Sequence, residues 1–131
     1  DMACAAMNAK NDCQSNSKLI GVTVLTSLSD KNCERIYGCK RFEQISKLKD
    51  IGLDSNVDGF VCSPYDIDTL KADSKIYVTP GIRTDNIIND HHKVITPLEA
   101  IKLGSNYLVI GRSITESLNP NKTLEEIIKS L

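Results

Sequence analysis

The sequence lacks the features that would indicate a membrane protein or a nucleic-acid-binding protein. No apolar run approaches the roughly 20 residues that a membrane-spanning helix needs, and the start has no basic flank followed by a signal-like apolar segment. The formal net charge is -1, so no concentrated positive field attracts nucleic acid or anionic lipid. We therefore expect a cytoplasmic chain without nucleic-acid or membrane partners, in which any anion is bound locally.

Cysteine pairs and metal-ligand spacings are also absent from the sequence. The 5 cysteines are an odd number, they form no Cys-x-x-Cys pair, and no histidine lies at metal-site spacing. We therefore expect neither a disulfide framework nor a zinc site. Cys62 follows an apolar run and is interpreted as a small buried hydrophobic residue.

The apolar content is sufficient for one compact domain. The chain has 131 residues, of which 40% are hydrophobic and 25% charged, and a complete eight-unit α/β barrel has roughly 250 residues. Because no repeat, low-complexity tract or linker divides the sequence, we expect a single domain over residues 1–131. Residues 3–10 resemble the interior of a helix without an N-cap, so we expect further chain before them.

Four short runs rich in β-branched residues predict strands at residues 19–25, 57–62, 75–79 and 106–110. Their apolar content is nearly continuous, which favours parallel strands buried on both faces.

Helical patterns lie between the predicted strands. In residues 42–48 an apolar residue recurs every three positions, and Gly52 is predicted to break that helix. The pair at residues 63–64 offers an N-cap Ser and a Pro at the first helical position. Capping boxes that begin at Thr96 and Thr123 predict two more helix starts.

Alternating strands and helices predict right-handed βαβ units and a parallel sheet. Four strands cannot close a normal barrel, and a four-stranded piece would expose two unpaired edges and the wall of its own core. We therefore expect such a piece to require a missing half or a partner chain. An open doubly wound sheet is the alternative fold.

In both folds, ligands bind at the carboxyl ends of the strands. Thr26 and Ser27 follow the first predicted strand, and their hydroxyls suit a phosphate, a sugar or a base edge. Hydroxyl residues after a strand are equally common as helix caps, so the sequence pattern leaves both interpretations open. The third strand ends in residues 80–83 and the fourth in residues 111–113. All of these residues could lie at one edge of the sheet.

Two of these strand ends combine glycine with arginine. Gly81 and Gly111 let a backbone approach an anion closely, while Arg83 and Arg112 carry guanidinium groups that match phosphate oxygens. A short helix starting at Ser113 would complete a phosphate site of the kind found after the last two strands of barrels. The alternative is that the glycines serve only as turns and the arginines are solvated.

Other polar segments are weaker candidates. Residues 90–92, Asp-His-His, lie in a polar loop, and adjacent histidines do not suit one metal site. The acidic stretch 66–73 is interpreted as a solvated helix face. No cluster of lysine and aspartate has catalytic spacing.

Four sequence blocks cover the predicted strands and their carboxyl ends. They are Leu-Ile-Gly-Val-Thr-Val-Leu-Thr-Ser at 19–27, Asp-Gly-Phe-Val-Cys-Ser at 58–63, Val-Thr-Pro-Gly-Ile-Arg at 78–83 and Tyr-Leu-Val-Ile-Gly-Arg-Ser-Ile-Thr at 107–115. In this order and at this spacing they resemble blocks of bacterial orotidine 5'-phosphate decarboxylases, and the resemblance extends over the whole chain. It implies the second half of a TIM (β/α)8 barrel, with family strands five to eight.

The resemblance implies that seven residues bind the substrate: Thr26, Ser27, Pro80, Arg83, His91, Gly111 and Arg112. The two arginines and the Gly111 backbone would hold the phosphate. His91 stands where the family usually has a Gln that bridges phosphate and base, which puts the phosphate loop in doubt although His can still donate a hydrogen bond.

The base end of the substrate involves three of these seven residues. By resemblance, Thr26 would contact the substrate, Ser27 would contact the pyrimidine, and Pro80 would line the base pocket.

The family converts orotidine monophosphate to uridine monophosphate and carbon dioxide in pyrimidine biosynthesis, without cofactor or metal. Its catalytic Asp-x-Lys-x-x-Asp motif, an earlier Lys and an Asp from the partner subunit have no counterpart in this sequence. The resemblance thus implies a binding half that pairs with an amino-terminal half or forms a homodimer, and that is inactive alone. A noncatalytic nucleotide-binding module that dimerises is one alternative. A related sugar-phosphate decarboxylase is another, against which the Val-Leu-Thr-Ser block argues.

Overall fold

A computed structural model describes residues 2–84 and 95–131, and within these ranges four strands form one parallel sheet. The strands are β1 (Ile20–Val22), β2 (Gly59–Val61), β3 (Ile76–Pro80) and β4 (Tyr107–Val109). They lie side by side in chain order, and every neighbouring pair is parallel. The four predicted strands and the parallel sheet are therefore confirmed.

Helices alternate with these strands. They are α1 (Met2–Asp12), α2 (Asp30–Tyr37), α3 (Arg41–Asp54), a 3-10 helix (Pro64–Asp66) that leads into α4 (Ile67–Leu70), α5 (Pro97–Lys102), α6 (Arg112–Thr115) and α7 (Pro120–Lys129). No helix within residues 2–84 and 95–131 has the length and apolar character that crossing a membrane requires.

One face of the sheet carries the main hydrophobic core. Phe60 of β2 and Tyr77 of β3 are paired neighbours on this face, and they are 1% and 6% exposed. They pack in one cluster with Ile45 of α3 and Leu70 of α4. Helices therefore cover this face.

The opposite face is open in the part of the chain that the structure describes. Val22, Val61, Val78 and Tyr107 form one row across the four strands, and the outermost two are 62% and 61% exposed. The expectation that the strands are buried on both faces is thus wrong for β1 and β4. A doubly wound sheet carries helices on both faces, whereas the bare face corresponds to the inner wall of an incomplete barrel.

Gly52 does not end α3, contrary to prediction, since the helix continues to Asp54. An ideal Cβ built on Gly52 would lie 2.5 Å from a ring carbon of Phe60. The glycine therefore allows α3 to pack closely on β2, and this tertiary contact explains its position within the helix.

The predicted helix starts have mixed outcomes. The capping box at Thr96 is confirmed, with the Thr96 hydroxyl accepting from the Glu99 N–H and the Glu99 carboxylate accepting from the Thr96 N–H. The prediction at Thr123 is wrong, because α7 begins at Pro120 and Asn119 accepts from the Lys122 N–H at 3.1 Å. An Asn N-cap followed by Pro starts this helix one turn earlier.

The interpretation of Cys62 as a buried hydrophobic residue is confirmed, since it is 1% exposed. Burial raises the pKa of its thiol to about 12, which keeps the sulfur protonated and unreactive. All five cysteines lie in the described residues, and none forms a disulfide there.

Candidate functional site

A buried hydroxyl near the end of β3 is bonded to the start of β4. Thr79 is 0% exposed, and its Oγ1 lies 3.0 Å from the Ser105 hydroxyl and 3.3 Å from the Tyr107 carbonyl oxygen. Since the strands are parallel, the residues after Pro80 and after Val109 emerge at the same edge of the sheet.

The backbone of Arg83 is fixed by a second tie. Ile82 forms a parallel bridge with Ile95, and the Arg83 N–H donates to the Ile95 carbonyl at 3.2 Å. Both isoleucines are buried in a small core with Ala100 of α5. Gly81 precedes this bridge with φ of 81°, a left-handed conformation that favours glycine, and has open space beside its Cα.

Arg112 is the first residue of α6, so this short helix begins one residue before the predicted Ser113. The N–H groups of Ile114 and Thr115 donate to the carbonyl of Gly111. A Cβ built on Gly111 would meet no atom within 4 Å. The backbone at the start of α6 therefore faces open space into which a ligand could come close.

A cleft of about 470 Å³ opens at this edge, and its lining includes Thr26, Ser27, Arg83, Gly111 and Arg112. The fold thus brings together residues that are far apart in the sequence. In the described part of the chain, no lysine or aspartate lines this cleft.

A second cleft of about 520 Å³ adjoins the first. It shares Arg83, Arg112 and Ser113 with the first cleft and extends to Glu116 and Glu126. The two arginines therefore line both clefts, and among the described residues carboxylates line only the second.

Two of the seven predicted residues are not in this lining. Pro80 is the last residue of β3, lies half-buried beside Val109 of β4, and is not among the described residues that line the cleft. His91 and the rest of the 90–92 loop lie outside the described residues. The binding roles of all seven residues remain predictions.

The arginines at the carboxyl edge differ in their charge partners. Within residues 2–84 and 95–131, neither Arg83 nor Arg112 has a carboxylate within 4.0 Å, whereas Arg41 is paired with Asp66. Two guanidinium groups without such partners, together with open glycine backbone, can take up a phosphate dianion through charge-assisted hydrogen bonds.

The interpretation of Asp66 as part of a solvated helix face is wrong. Its side chain is 12% exposed and bonded to Arg41, which in turn donates to backbone carbonyls of the loop after β1. No local signal predicts this contact, because Arg41 and Asp66 are 25 positions apart.

Comparison with known proteins identifies the family to which the chain is similar. The sequence model of the "Orotidine 5'-phosphate decarboxylase / HUMPS family" matches residues 3–127. The chain is 41% identical to the orotidine 5'-phosphate decarboxylase of Wigglesworthia glossinidia brevipalpis, with 100% of this chain and 59% of that protein covered. It is 44% identical to the Aliivibrio fischeri protein of the same name, with 86% and 50% covered.

Among solved structures, orotidine 5'-phosphate decarboxylase from Lactobacillus acidophilus superimposes with a TM-score of 0.69 and 36% identity. The match covers 88% of this chain and 49% of that chain. The chain therefore spans about half the length of the relatives that it matches. It belongs to the orotidine 5'-phosphate decarboxylase / HUMPS family, and its four strands form the second half of a TIM barrel.

Proposed function

We propose that this chain is the phosphate- and base-binding half of an orotidine 5'-phosphate decarboxylase. In this proposal it binds orotidine monophosphate and its product uridine monophosphate, and decarboxylation occurs when the half with the catalytic lysine and aspartate residues is present. The observation that carries the proposal is that Arg83 and Arg112 line one cleft with the open backbone of Gly111.

The phosphate is the part of the ligand that this cleft suits best. A phosphate dianion presents several oxygens, and guanidinium groups can bind them with two parallel N–H bonds each. Such charge-assisted contacts contribute about 1.5–3 kcal/mol each. In a decarboxylase, binding energy from a group remote from the reacting carbon can be used to stabilise the transition state.

The sugar and base would extend from the phosphate toward the turn after β1. The hydroxyls of Thr26 and Ser27 line the same cleft as the arginines and can both donate and accept hydrogen bonds. We assign the pyrimidine contact to Ser27 and a further substrate contact to Thr26. Pro80 is proposed for the base pocket, and His91 for a hydrogen bond between phosphate and base.

The open face of the sheet indicates a partner. Val22, Tyr107 and Val109 are at least half exposed, and β1 and β4 are the outer strands of the described sheet. Unpaired parallel edges and exposed apolar side chains favour association. We propose that an amino-terminal half covers this face, or a second copy of the chain.

Titration calorimetry with uridine monophosphate tests the binding site. Arg112→Ala is expected to weaken binding by about 10- to 100-fold, because it removes one charge-assisted contact. Arg35→Ala is the matched control, since Arg35 is exposed on α2 and lies outside the lining of the cleft. An unchanged affinity in Arg112→Ala would remove the phosphate assignment.

A reconstitution experiment separates the enzyme from the noncatalytic alternative, because both are consistent with a described cleft lining that has no lysine or aspartate. We expect no carbon dioxide release from orotidine monophosphate by the chain alone, and release after an amino-terminal half from a relative is added. Binding of uridine monophosphate without decarboxylation in the mixture would favour a noncatalytic module.

A further inference from the structure

The turn that carries Thr26 and Ser27 is closed by backbone, and of its four side chains only Leu28 is partly buried and packs against the main core. The Leu28 N–H donates to the Leu25 carbonyl at 3.0 Å, so Thr26 and Ser27 are the two central residues of the turn. Leu25, Thr26 and Ser27 are all exposed. Burial of these three side chains therefore cannot fix the position of the turn.

Arg41 binds the turn from outside it. Its Nη1 donates to the carbonyl oxygens of Leu25 and Leu28, both at 2.9 Å. These two carbonyls belong to the first and last residues of the turn. One guanidinium nitrogen thus holds both ends of the segment that presents Thr26 and Ser27 to the cleft.

Asp66 fixes the guanidinium group of Arg41. Its Oδ2 lies 2.5 Å from Nη2 and its Oδ1 lies 3.4 Å from Nε, with the two side chains 15% and 12% exposed. The Asp66 N–H donates to the Ser63 carbonyl at 2.9 Å. The 3-10 helix after β2 is therefore connected, through Arg41, to the turn after β1.

The location of Arg41 is not explained by helix stability. It is the first residue of α3, where a positive charge is disfavoured by the helix dipole. A lysine there could not replace it, because one ammonium group cannot maintain the planar arrangement of bonds to a carboxylate and two carbonyls. Neither Arg41 nor Asp66 lines the cleft of about 470 Å³.

We propose that the Arg41–Asp66 pair is a positioning element for the Thr26–Ser27 turn. It sets the affinity for the sugar and base portion of the ligand, and the phosphate contacts at Arg83 and Arg112 are independent of it. This inference rests on the proposed function, which assigns ligand contacts to Thr26 and Ser27.

The first test measures the turn itself by amide hydrogen exchange in the NMR spectrum of the full chain. In Arg41→Lys, the Leu28 amide is expected to exchange about 10-fold faster than in the wild-type chain, while the exchange rate of the Phe60 amide in β2 stays the same. Asp66→Asn is the second variant, and it should accelerate Leu28 in the same direction. Unchanged Leu28 exchange in a folded variant would overturn the inference.

The second test measures, by titration of the same variants, the affinity for two ligands, uridine monophosphate and inorganic phosphate. Arg41→Lys is expected to lower the affinity for the nucleotide about 10-fold and to leave inorganic phosphate unchanged, whereas Arg112→Ala lowers both. Arg35→Lys is the matched control for the chemical change. An equal loss for both ligands in Arg41→Lys would indicate general damage to the fold and would also overturn the inference.

The two proposals fail in different ways. If the unchanged chain does not bind uridine monophosphate, the proposed function is wrong, and Leu28 exchange alone decides whether Arg41 and Asp66 position the turn. If the nucleotide binds and Arg41→Lys binds it equally well, the proposed function stands and the positioning role is wrong.

Discussion

Charged side chains at the two ends of the parallel sheet differ in their bonding partners. At the amino end, Asp58 accepts hydrogen bonds from Lys10 Nζ at 2.6 Å and from the Leu19 N–H at 2.7 Å. At the carboxyl end, Arg83 and Arg112 have no carboxylate within 4.0 Å among the described residues. The amino end uses its charge to join α1 to the sheet, whereas Arg83 and Arg112 at the carboxyl end line a cleft and differ in this respect from the paired Arg41.

The same difference is general in α/β barrels, because ligands bind at the carboxyl ends of the strands and the amino ends contribute to stability. A charge with partners inside the protein stabilises the fold. A charge without such partners is available to an external anion. Substitution of Asp58 should therefore alter stability, and substitution of Arg83 or Arg112 should alter binding.

The largest effect on stability is expected from Gly59→Ala at the start of β2. A Cβ at this position would lie 2.1 Å from the backbone oxygen of Ile76 in β3, so the strand pairing must shift. We expect the free energy of unfolding to fall by about 3 kcal/mol or more, measured by urea denaturation. Gly21→Ala is the matched control, since its nearest contact would be an ordinary 3.6 Å. Equal losses in the two variants would contradict this explanation.

A smaller loss of stability is expected from Asp58→Asn, which weakens the hydrogen bonds that connect α1 to the residue before β2. The hydrogen bonds to Lys10 and to the Leu19 backbone contribute about 1–2 kcal/mol together in this partly exposed position. Chemical denaturation at pH 7 measures the loss, and binding of uridine monophosphate should not change. A variant as stable as the unchanged chain would show that this ion pair does not contribute to stability.

The same carboxylate predicts a pH dependence. The hydrogen bond from Lys10, followed by that from the Leu19 backbone, lowers the pKa of Asp58 from 3.8 to about 2. Because the folded pKa is depressed, this contribution to stability is present above about pH 4 and is lost as pH falls toward 2. The stability difference between the unchanged chain and Asp58→Asn should narrow over that interval. A constant difference would contradict the pKa assignment.

The smallest effect on stability is expected at the carboxyl end. The double substitution Arg83→Ala and Arg112→Ala should change the free energy of unfolding by less than about 0.5 kcal/mol, although we expect it to remove the proposed nucleotide binding. Thermal unfolding without ligand is the measurement. A loss as large as that of Asp58→Asn would mean that these arginines also support the fold, and the contrast between the two ends would disappear.

The strands were predictable because their signal is local. Each is a short apolar run, and the observed strands lie within or one residue beyond the predicted ranges. The helix break predicted at Gly52 is wrong. This glycine allows the close contact with Phe60 that packs α3 against β2. Likewise α2 is absent from the predicted helices, although Ser29 caps it and Gly38 follows it with φ of 71°.

The candidate site was predictable only in part. Parallel strands place their carboxyl ends at one edge, so Arg83 and Arg112 could be assigned to a common edge from the order of elements alone. The pairing of Arg41 with Asp66 could not be predicted, because it joins the start of α3 to the 3-10 helix after β2, and the two residues are 25 positions apart.

The sequence by itself determined the four strands, their parallel arrangement and the residues that follow each strand, because hydrophobic runs and capping residues act over a few neighbouring positions. Only the tertiary structure decided which sheet face is open and which arginine is held by a carboxylate. Those outcomes depend on contacts between residues distant in the chain, and pairing of a charge depends on geometry as well as composition.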